Sequence, residues 1–301
     1  MKILIAEADE QTRLRLFALL SQRGYEVMIA TNGAEACRLL QHDDAPSLAL
    51  IGRHMPGLDG LELCRTVRQW SNERYIYMVM LTVQKDTPDI VAGMRAGADD
   101  YISKNCAFDE LHARLRAGER ILKLQEQLRI EATHDVLTGT LNRRAILSLL
   151  ERQAAQATRH PSQVGILLLD LDHFKKVNDS HGHTTGDDVL TETAKRLAAP
   201  LRRYDALGRY GGEEFLIVLP RCDLERTAEV AERVRLSVSK TPIDTSAGKI
   251  AITASIGAAA MDQGPVSAHD LIQRADQALY DAKALGRNRV ATRVRTLEHA
   301  C

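Results

Sequence analysis

The sequence lacks three features that would place the protein outside the ordinary globular classes. Its five cysteines contain no CxxC pair, so neither a zinc site nor a disulfide framework is indicated. No apolar run approaches the roughly 20 residues that a membrane-spanning helix needs. Acidic and basic residues are equal at forty each, and the formal net charge is zero. Without an excess of positive charge there is no broad electrostatic footprint for nucleic acid, although a local anion site is still allowed.

The first residues show none of the segments that direct export from the cell. The chain opens on the apolar pattern KILIA, without the h-region and cleavage site of a signal peptide. We therefore expect a cytoplasmic protein, with no membrane and no nucleic acid among its partners. The length of 301 residues favours two domains.

Residues 1–122 alternate short apolar runs with amphipathic stretches. This alternation predicts an α/β domain with a doubly wound, flavodoxin-like parallel sheet covered by helices on both faces. Ligands of such sheets bind at the carboxyl ends of the strands. The expected strands are 3–6, 25–30, 47–51, 75–82 and 100–103, and the expected helices are 12–24, 33–41, 61–70 and 89–97.

A polar segment, residues 108–132, continues the last helix of this domain as a helical linker. Ala117, Ile121, Leu124 and Leu128 are spaced by 4, 3 and 4 residues, which is typical of a narrow coiled-coil seam. Because the seam is short, two interpretations stay open. The helix lies along its own domain, or it pairs with the same helix of a second chain.

Residues 133–295 mix helices with strands that are joined by tight turns. This mixture predicts an α+β domain with a palm-like, mainly antiparallel sheet. Gly211 and Gly212 separate two strand patterns and indicate a hairpin. The expected strands are 164–172, 206–210, 214–220 and 250–260, and the expected helices are 188–202, 225–240 and 267–286.

Two pairs of acidic residues stand out in this second domain. Asp170 and Asp172 end the buried run ILLL, and Glu213 with Glu214 follows the glycine turn. Carboxylates at the end of a buried strand are costly to desolvate unless a positive partner lies there. Mg²⁺ suits them because it binds carboxylates together with substrate phosphates, and the set then predicts a phosphoryl-transfer site. On spacing alone, ordinary surface turn acids are the alternative.

Groups able to bind a nucleotide surround these acids in the sequence. Lys175 can hold a phosphate as a point charge. Asn178 and Asp187 carry groups that can hydrogen-bond the edge of a purine. Lys283 and Arg287 lie one helical turn apart, so both can face one triphosphate.

Four motifs in these regions closely resemble the GGDEF domain of diguanylate cyclases. They are HDVLTGTLNRR, LDLDHFKKVNDSHGHTTGDDVL, RYGGEEF and ADQALYDAKALGRNRV, and they cover roughly residues 133–292 in the family's order and spacing. The resemblance implies an enzyme that condenses two GTP into cyclic di-GMP and releases pyrophosphate. Each domain would bind one GTP, so the active unit is expected to be a homodimer.

The resemblance also implies roles for individual residues. Asp170, Glu213 and the Leu171 carbonyl are expected to bind Mg²⁺, or Mn²⁺ in its place. Glu213 and Glu214 are the expected catalytic pair, with Glu213 assisting deprotonation of the 3′-hydroxyl. Asp187 favours GTP alone, because relatives that make mixed cyclic dinucleotides carry a different residue there. The implied substrate-binding residues are Asn178, His183 and Asp187 for guanine, and Lys175, Lys283 and Arg287 for the phosphates.

A second ligand site is implied by Arg202 and Asp205, which stand shortly before GGEEF. In the family, an RxxD sequence at this spacing binds the product and inhibits the enzyme, and Arg233 matches a second inhibitory arginine. Arginine recognises guanine edges and phosphates well. A solvated, salt-bridged helix end is the alternative interpretation.

Residues 1–122 resemble a response-regulator receiver domain through IAEAD, LALIGRHMPGLDG, MLT and AGADDYISK. In that family an aspartate at the end of the third strand accepts a phosphoryl group, but this chain has Gly52 there. Glycine offers no nucleophile, so an aspartyl phosphate cannot form. We expect a degenerate receiver that serves dimerisation or binds an unknown regulatory protein or ligand. Its remaining pocket residues are Glu7, Asp9 as a stand-in for the second acid, Thr82 and Lys104.

Two other functions are compatible with the sequence. A non-catalytic cyclic di-GMP receptor would keep RxxD, and a scaffold would use the receiver-like domain to bind a partner. Such receptors typically lose the catalytic set, whereas Asp170, Glu213, Asn178 and Asp187 are all present. The leading prediction is therefore an active enzyme.

Overall fold

The structure, a computed structural model, describes residues 1–42, 44–70, 74–83, 87–159, 162–261 and 267–293. The chain divides into two units, Met1–Arg129 and the part from Ile130 onwards. The predicted end of the second domain, residue 295, lies outside the described residues. Of the helices in the described ranges, none combines the length and the apolar character needed to cross a bilayer.

The N-terminal unit is a five-stranded parallel sheet with a helix between successive strands, as the alternating pattern predicts. The strand order is β2-β1-β3-β4-β5, and in this doubly wound order all carboxyl ends lie at one edge. The strands are β1 (Lys2–Ala6), β2 (Glu26–Ala30), β3 (Leu48–Gly52), β4 (Tyr77–Thr82) and β5 (Asp100–Ser103). The helices are α1 (Glu10–Gln22), α2 (Gly33–Gln41), α3 (Gly60–Gln69), α4 (Thr87–Arg95) and α5 (Phe108–Thr133).

Both faces of this sheet are buried. Ile3 and Ile5 of β1 enter one hydrophobic cluster, whereas Leu4 and Ala6 enter another. Successive side chains of a strand point to opposite faces, so the two clusters lie on opposite sides of the sheet. This explains why the strands appear in the sequence as continuous apolar runs rather than as alternating patterns.

Side-chain caps determine where two helices of this unit begin. Asp9 accepts a hydrogen bond from the Thr12 backbone N–H at 2.8 Å at the start of α1. Asp59, in the MPGLDG turn, forms a reciprocal capping box with Glu62 at the start of α3. Such caps are worth about 1 kcal/mol each. Both acids therefore have a local structural role.

The long helix α5 has two different halves. Leu115 is fully buried in the N-terminal unit, and Gly118 packs so closely that a Cβ there would lie 2.5 Å from Tyr77 Cδ1. Further along, Leu124 is 53% exposed and Leu128 is 64% exposed. The first half thus lies along its own domain, whereas the second half presents an apolar stripe.

The C-terminal unit contains a five-stranded mixed sheet of order β12-β11-β6-β8-β7. Neighbouring strands are antiparallel except for the parallel pair β11 and β12, so the sheet is mainly antiparallel as predicted. The strands are β6 (Val164–Leu171), β7 (Ala206–Arg209), β8 (Glu214–Pro220), β11 (Ala254–Ala260) and β12 (Val290–Thr292), and β9 (Ile243–Thr245) pairs with β10 (Gly248–Ile250) in a separate hairpin. The helices are α6 (Arg143–Arg159), α7 (Phe174–His181), α8 (His183–Ala198), α9 (Leu224–Ser239) and α10 (Ala268–Ala284).

The sequence interpretation did not predict α6, α7, β9, β10 or β12, and two elements that it did predict begin elsewhere. Helix α8 begins at His183, before the expected start at residue 188. The sequence did not indicate helix there because the threonines and the glycine of the first turn have low helix propensity. The strand expected over 250–260 begins at Ala254, because Ile250 pairs with Ile243 in the β9–β10 hairpin. Neither change alters which strand ends and turns meet at the site.

Candidate active site

The acids of the second unit lie where the end of β6 meets the turn between β7 and β8. Asp170 is paired with Glu214 in the antiparallel register of β6 and β8. The Leu171 backbone N–H donates to the Glu213 carbonyl at 3.3 Å. The sheet therefore brings the strand-end acid beside both glutamates of the turn.

Arg209 supports this turn, a role that the sequence interpretation did not assign. Its Nε and Nη2 atoms donate to the Gly212 carbonyl at 3.0 and 2.8 Å, and its Nη1 atom lies 3.2 Å from Asp135 Oδ1. The half-buried guanidinium thus joins the glycine turn to the loop after α5. The signal was present in the sequence, because Arg209 opens the motif RYGGEEF.

Burial makes this group of carboxylates electrostatically unfavourable. Asp170 is 9% exposed, and desolvation raises its pKa despite the opposing ion pair with Lys283 at 2.9 Å. Desolvation also raises the pKa values of Glu213 and Glu214, with the charge of Asp170 as the next cause for both. The three acids favour a positive partner at this position.

The donor set suits Mg²⁺. Within the part of the chain that the structure describes, no group of three or more His, Cys, Asp or Glu side chains is arranged to hold a metal ion. Mg²⁺, however, is usually bound through one or two protein carboxylates and completes its shell with water and substrate phosphates. Asp170 and Glu213 are hard oxygen donors of this kind, and burial, more than neighbouring negative charge, raises the pKa of both, so a bound cation would stabilise their charged forms.

Asp172 is engaged differently from Asp170, although the two acids are close in sequence. It is 4% exposed, and its carboxylate accepts hydrogen bonds from Thr253 Oγ1, Ser255 Oγ and the Asn288 backbone N–H. These contacts lie within the unit and leave Asp170 as the strand-end acid beside the glycine turn.

The residues expected to bind guanine lie on α7 and α8. Asn178 is half-buried on α7, whereas His183 and Asp187 are exposed on α8. A Cβ built on Gly186 would lie 1.9 Å from Asn178 Oδ1, so a larger residue there would displace the Asn178 side chain. This contact fixes Asn178 next to the helix turn that carries Asp187.

The residues expected to bind phosphate come from two places. Lys283, in the last turn of α10, forms the ion pair with Asp170, and Arg287 contributes favourably to the charge balance of that carboxylate. Helix α10 packs tightly on β11, since a Cβ on Gly257 would lie 2.0 Å from the Ala275 carbonyl oxygen. Lys175 is exposed on α7, and no described interaction joins it to Asp170 or to Lys283.

Comparison with known proteins assigns a family to each unit. Residues 132–289, more than half of the chain, match the family described as "Diguanylate cyclase, GGDEF domain". The chain belongs to the GGDEF diguanylate cyclase family. Residues 3–116 match the response regulator receiver domain, so the predicted combination of a receiver with a GGDEF domain is confirmed. We refer to residues 1–129 as the receiver unit and to the chain from residue 130 onwards as the GGDEF unit.

Two curated relatives share different portions of the chain. The response regulator PleD of Caulobacter vibrioides is 34% identical over 252 residues, which cover 81% of this chain and 56% of PleD. The diguanylate cyclase DosC of Escherichia coli is 43% identical over 167 residues, which cover 55% of this chain and 36% of DosC. The chain therefore spans little more than half the length of the first relative and less of the second.

Solved structures resemble the GGDEF unit. The coiled coil and GGDEF domain of DgcB from Caulobacter crescentus, solved with cyclic di-GMP, has a TM-score of 0.56 and 36% identity, covering 61% of this chain and 99% of that one. The diguanylate cyclase SiaD from Pseudomonas aeruginosa, solved with its activator SiaC, has a TM-score of 0.53 and 35% identity, covering 62% of this chain and 75% of that one.

The residues expected at the inhibitory site of the GGDEF unit form an exposed turn. The Arg202 backbone N–H donates to Asp205 Oδ2 at 2.8 Å, and the Asp205 N–H donates to the Arg202 carbonyl at 3.0 Å. Arg233, on α9, reaches the Pro200 carbonyl at 3.5 Å. The fold thus brings the two arginines, which are distant in sequence, to the same surface.

Gly52 of the receiver unit lies close to the side chain of Glu7. Glu7 is 1% exposed and forms a 2.7 Å ion pair with Lys104. A Cβ built on Gly52 would lie 2.6 Å from Glu7 Oε2. Asp9 points its carboxylate to the N-terminus of α1, where it caps the helix. A side chain at position 52 would therefore require the Glu7 carboxylate to move away from its ion pair with Lys104.

Replacing Gly52 with aspartate is expected not to restore phosphorylation. The new carboxylate would meet the buried Glu7 carboxylate, and the overpacking should lower the free energy of unfolding by about 1–3 kcal/mol. Incubation of Gly52→Asp with acetyl phosphate and Mg²⁺, followed by intact-mass measurement, should show no acyl phosphate.

The double variant Glu7→Ala/Gly52→Asp is the matched control, because it removes the carboxylate that lies close to position 52. Its melting temperature should lie above that of Gly52→Asp alone. A stoichiometric acyl phosphate on Gly52→Asp alone would show that Glu7 does not block the site.

Proposed function

We propose that this protein is a diguanylate cyclase that condenses two GTP into cyclic di-GMP and two pyrophosphates. The observation that carries the proposal is the convergence of Asp170, Glu213 and Glu214 with Lys283 at one end of the GGDEF sheet. Burial raises the pKa values of these three carboxylates, and the Lys283 ammonium group, which would bind phosphate, lies beside them. This combination fits nucleotidyl transfer, which depends on charge stabilisation and positioning.

Each residue in the site has a role in this reaction. Asp170, Glu213 and the Leu171 carbonyl would hold Mg²⁺, or Mn²⁺ in its place, which when bound supplies positive charge to the reacting phosphate oxygens. Glu213 would assist deprotonation of the 3′-hydroxyl that attacks the α-phosphate of the second GTP. Burial raises the pKa of Glu213, which makes its carboxylate a stronger base than that of an exposed glutamate.

Recognition of the base is assigned to α7 and α8. Asn178 and Asp187 would hydrogen-bond the guanine edge, with His183 lining the pocket. Lys175, Lys283 and Arg287 would bind the phosphates. The unpaired acceptor and donor groups of a mismatched base are costly at such a site, so GTP should be strongly preferred over ATP.

The substrate assignment is tested by product analysis with GTP, with ATP and with their mixture. We expect cyclic di-GMP from GTP, two pyrophosphates for each product molecule, and no mixed dinucleotide from the mixture. Mixed or adenine-containing products would contradict the role of Asp187, whereas the absence of any product from GTP would contradict the enzyme assignment.

The active unit is proposed to be a homodimer held by the receiver unit and the linker helix. Each GGDEF unit would bind one GTP, so two must face each other for the 3′-hydroxyl of one nucleotide to reach the other. The exposed stripe of α5, including Leu124 and Leu128, has the spacing of a coiled-coil seam. The relative DgcB was solved with its coiled coil and GGDEF domain together, which supports this arrangement.

The receiver unit is proposed to regulate without phosphate. The Glu7–Lys104 ion pair holds the pocket in one arrangement that needs neither a phosphoryl group nor Mg²⁺. A regulatory protein or ligand is a further proposed partner, and the relative SiaD, solved with its activator SiaC, shows that a related protein has such a partner.

Product inhibition is proposed at Arg202, Asp205 and Arg233. Replacing Arg202 with alanine should raise the inhibition constant for cyclic di-GMP at least about tenfold, because a charge-assisted contact to the ligand is lost. The initial rate without product should stay unchanged. Initial rates measured at increasing cyclic di-GMP concentrations provide the test.

Arg203→Ala is the matched control for this prediction, because Arg203 is exposed next to Arg202 and has no proposed contact with the product. Its inhibition curve should overlay that of the unsubstituted protein. Equal effects of the two substitutions would indicate a general loss of positive charge instead of a defined inhibitory site.

A further inference from the structure

The turn after α10 has an unusual backbone. Gly286, Arg287 and Asn288 have φ values of 114°, 63° and 44°, three left-handed residues in succession. Glycine adopts such values freely, but arginine and asparagine do so at an energetic cost. A turn of this kind persists when surrounding contacts determine its shape.

Asp172 supplies one of those contacts from the interior of the unit. Its Oδ2 atom accepts the Asn288 backbone N–H at 3.0 Å and Thr253 Oγ1 at 2.6 Å, and its Oδ1 atom accepts Ser255 Oγ at 2.7 Å. Asp172 is 4% exposed and Ser255 is fully buried. The carboxylate therefore links the end of β6, the start of β11 and the left-handed turn.

Other contacts hold the turn from its outer side. Arg235 Nη1 donates to Asn288 Oδ1 at 2.6 Å, and the Arg287 N–H donates to the Ala282 carbonyl at 3.1 Å. Neither reaches the Asn288 N–H, which points inward to Asp172. Loss of the Asp172 carboxylate would leave that donor without its partner, and an unsatisfied donor in a partly buried position is costly.

We propose that Asp172 is a positioning residue that holds the left-handed turn so that Arg287 points to the substrate phosphates. Asp172 is not assigned to the metal ion, because its carboxylate already accepts three hydrogen bonds from within the unit. This inference rests on the proposed function, in which Arg287 binds phosphate. It gives the second acid of the LDLD motif a role different from that of Asp170.

The role can be tested by nucleotide binding to the full-length chain. Dissociation constants for GTP, measured with its 3′-deoxy analogue because that nucleotide lacks the attacking hydroxyl, and for GMP would be obtained by calorimetry in the presence of Mg²⁺. Arg287 should contribute to GTP binding through phosphates that GMP lacks. Asp172→Ala is expected to weaken GTP binding about tenfold, as removal of a residue that orients a ligand-binding group often does. GMP binding should change less than about twofold, within the range of weak indirect effects.

A double-mutant cycle with Arg287→Ala separates positioning from a general structural role. If Asp172 acts through Arg287, Asp172→Ala should have no further effect on the ratio of GTP to GMP affinity once Arg287 is absent. Additive effects would overturn the proposal. Equal weakening of GTP and GMP would also overturn it, since that result indicates a general loss of structure.

Two further variants keep the test decisive if Asp172→Ala folds poorly. Asp172→Asn retains an oxygen that can accept the Asn288 N–H, so it should recover most of the GTP affinity. Ser255→Ala removes a different donor from the same carboxylate, and it should leave the ratio of the two affinities unchanged. A loss in Asp172→Asn as large as that in Arg287→Ala would contradict the proposal.

The state of the turn can be read independently of GTP binding. Exchange of the Asn288 amide proton, followed by NMR, should become faster in Asp172→Ala and should not change in Ser255→Ala. If the unsubstituted protein binds GTP and GMP equally, the proposed phosphate role of Arg287 fails. Unchanged Asn288 exchange in Asp172→Ala would overturn the positioning role itself.

Discussion

Replacing Glu213 with glutamine is expected to abolish cyclic di-GMP synthesis while making the metal-free protein more stable at neutral pH. The amide keeps the size of the side chain but removes the negative charge that would bind Mg²⁺ and assist deprotonation of the 3′-hydroxyl. Stabilisation of the reacting phosphate by a metal ion is worth several kcal/mol, so we expect a rate loss of about a thousandfold or more. Product formation measured by chromatography tests this part.

The gain in stability follows from the direction of the pKa shift. Burial, and then the charge of Asp170, raises the pKa of Glu213 above its value in the unfolded chain. An acid with a raised pKa contributes stability below its unfolded pKa, and that contribution is lost as the pH rises through the folded pKa. Glutamine cannot ionise, so Glu213→Gln should escape the loss.

The melting temperature difference between the variant and the unsubstituted protein should therefore depend on pH. Without metal it should be small in acid and should favour Glu213→Gln at neutral pH. Glu225→Gln, at an exposed acid on α9, is the matched control and should retain full activity. Normal turnover of Glu213→Gln would remove the assigned role of this residue, and a melting temperature below that of the unsubstituted protein would contradict the electrostatic account.

Replacing Leu128 with glutamate is expected to dissociate the dimer and to reduce the specific activity at least about a hundredfold at low protein concentration, since a buried unpaired charge costs several kcal/mol. Leu128 is 64% exposed in the single chain, on the stripe that also contains Leu124. In a coiled coil the stripe would be covered by its counterpart. Sedimentation velocity should show a monomer, and the activity should recover as the protein concentration rises.

Gln127→Glu is the control for this experiment, because it introduces the same charge at a neighbouring exposed position outside the seam. It should leave both the sedimentation coefficient and the activity unchanged. An active, dimeric Leu128→Glu variant would show that the α5 stripe does not hold the dimer. A monomer that keeps full specific activity at every concentration would contradict the two-GTP arrangement itself.

The sequence predicts most of the receiver fold because its signals are local and redundant. Five apolar runs separated by amphipathic stretches leave little choice but a parallel sheet, and the structure confirms it. Helix α5 was also foreseen over almost its full length, since no proline or glycine turn interrupts its pattern. In the GGDEF unit, β9, β10 and β12 were missed because each has three residues, too few to show a period. Helices α6 and α7 were not predicted either.

In the site, too, the features that depend on neighbouring residues could be predicted from the sequence, whereas those that depend on distant residues could not. The positions of Asp170 before a turn and of Glu213 after a glycine pair could be read from the sequence, and the fold places them side by side. The different engagement of Asp172 could not be read, because its partners are distant in sequence and are brought to it by β11 and the turn after α10. The closeness of Glu7 to Gly52 is equally non-local, since it depends on the packing of β1 against β3.

The most direct test of the account is the rate of cyclic di-GMP and pyrophosphate formation by the purified full-length chain with GTP and Mg²⁺, measured with and without acetyl phosphate. The chain should first be cleared of any bound product. We predict steady formation of one cyclic di-GMP for every two pyrophosphates, at a rate that acetyl phosphate does not change. A cleared protein that makes no product, or one that requires the phosphodonor, would contradict the proposed phosphate-independent diguanylate cyclase.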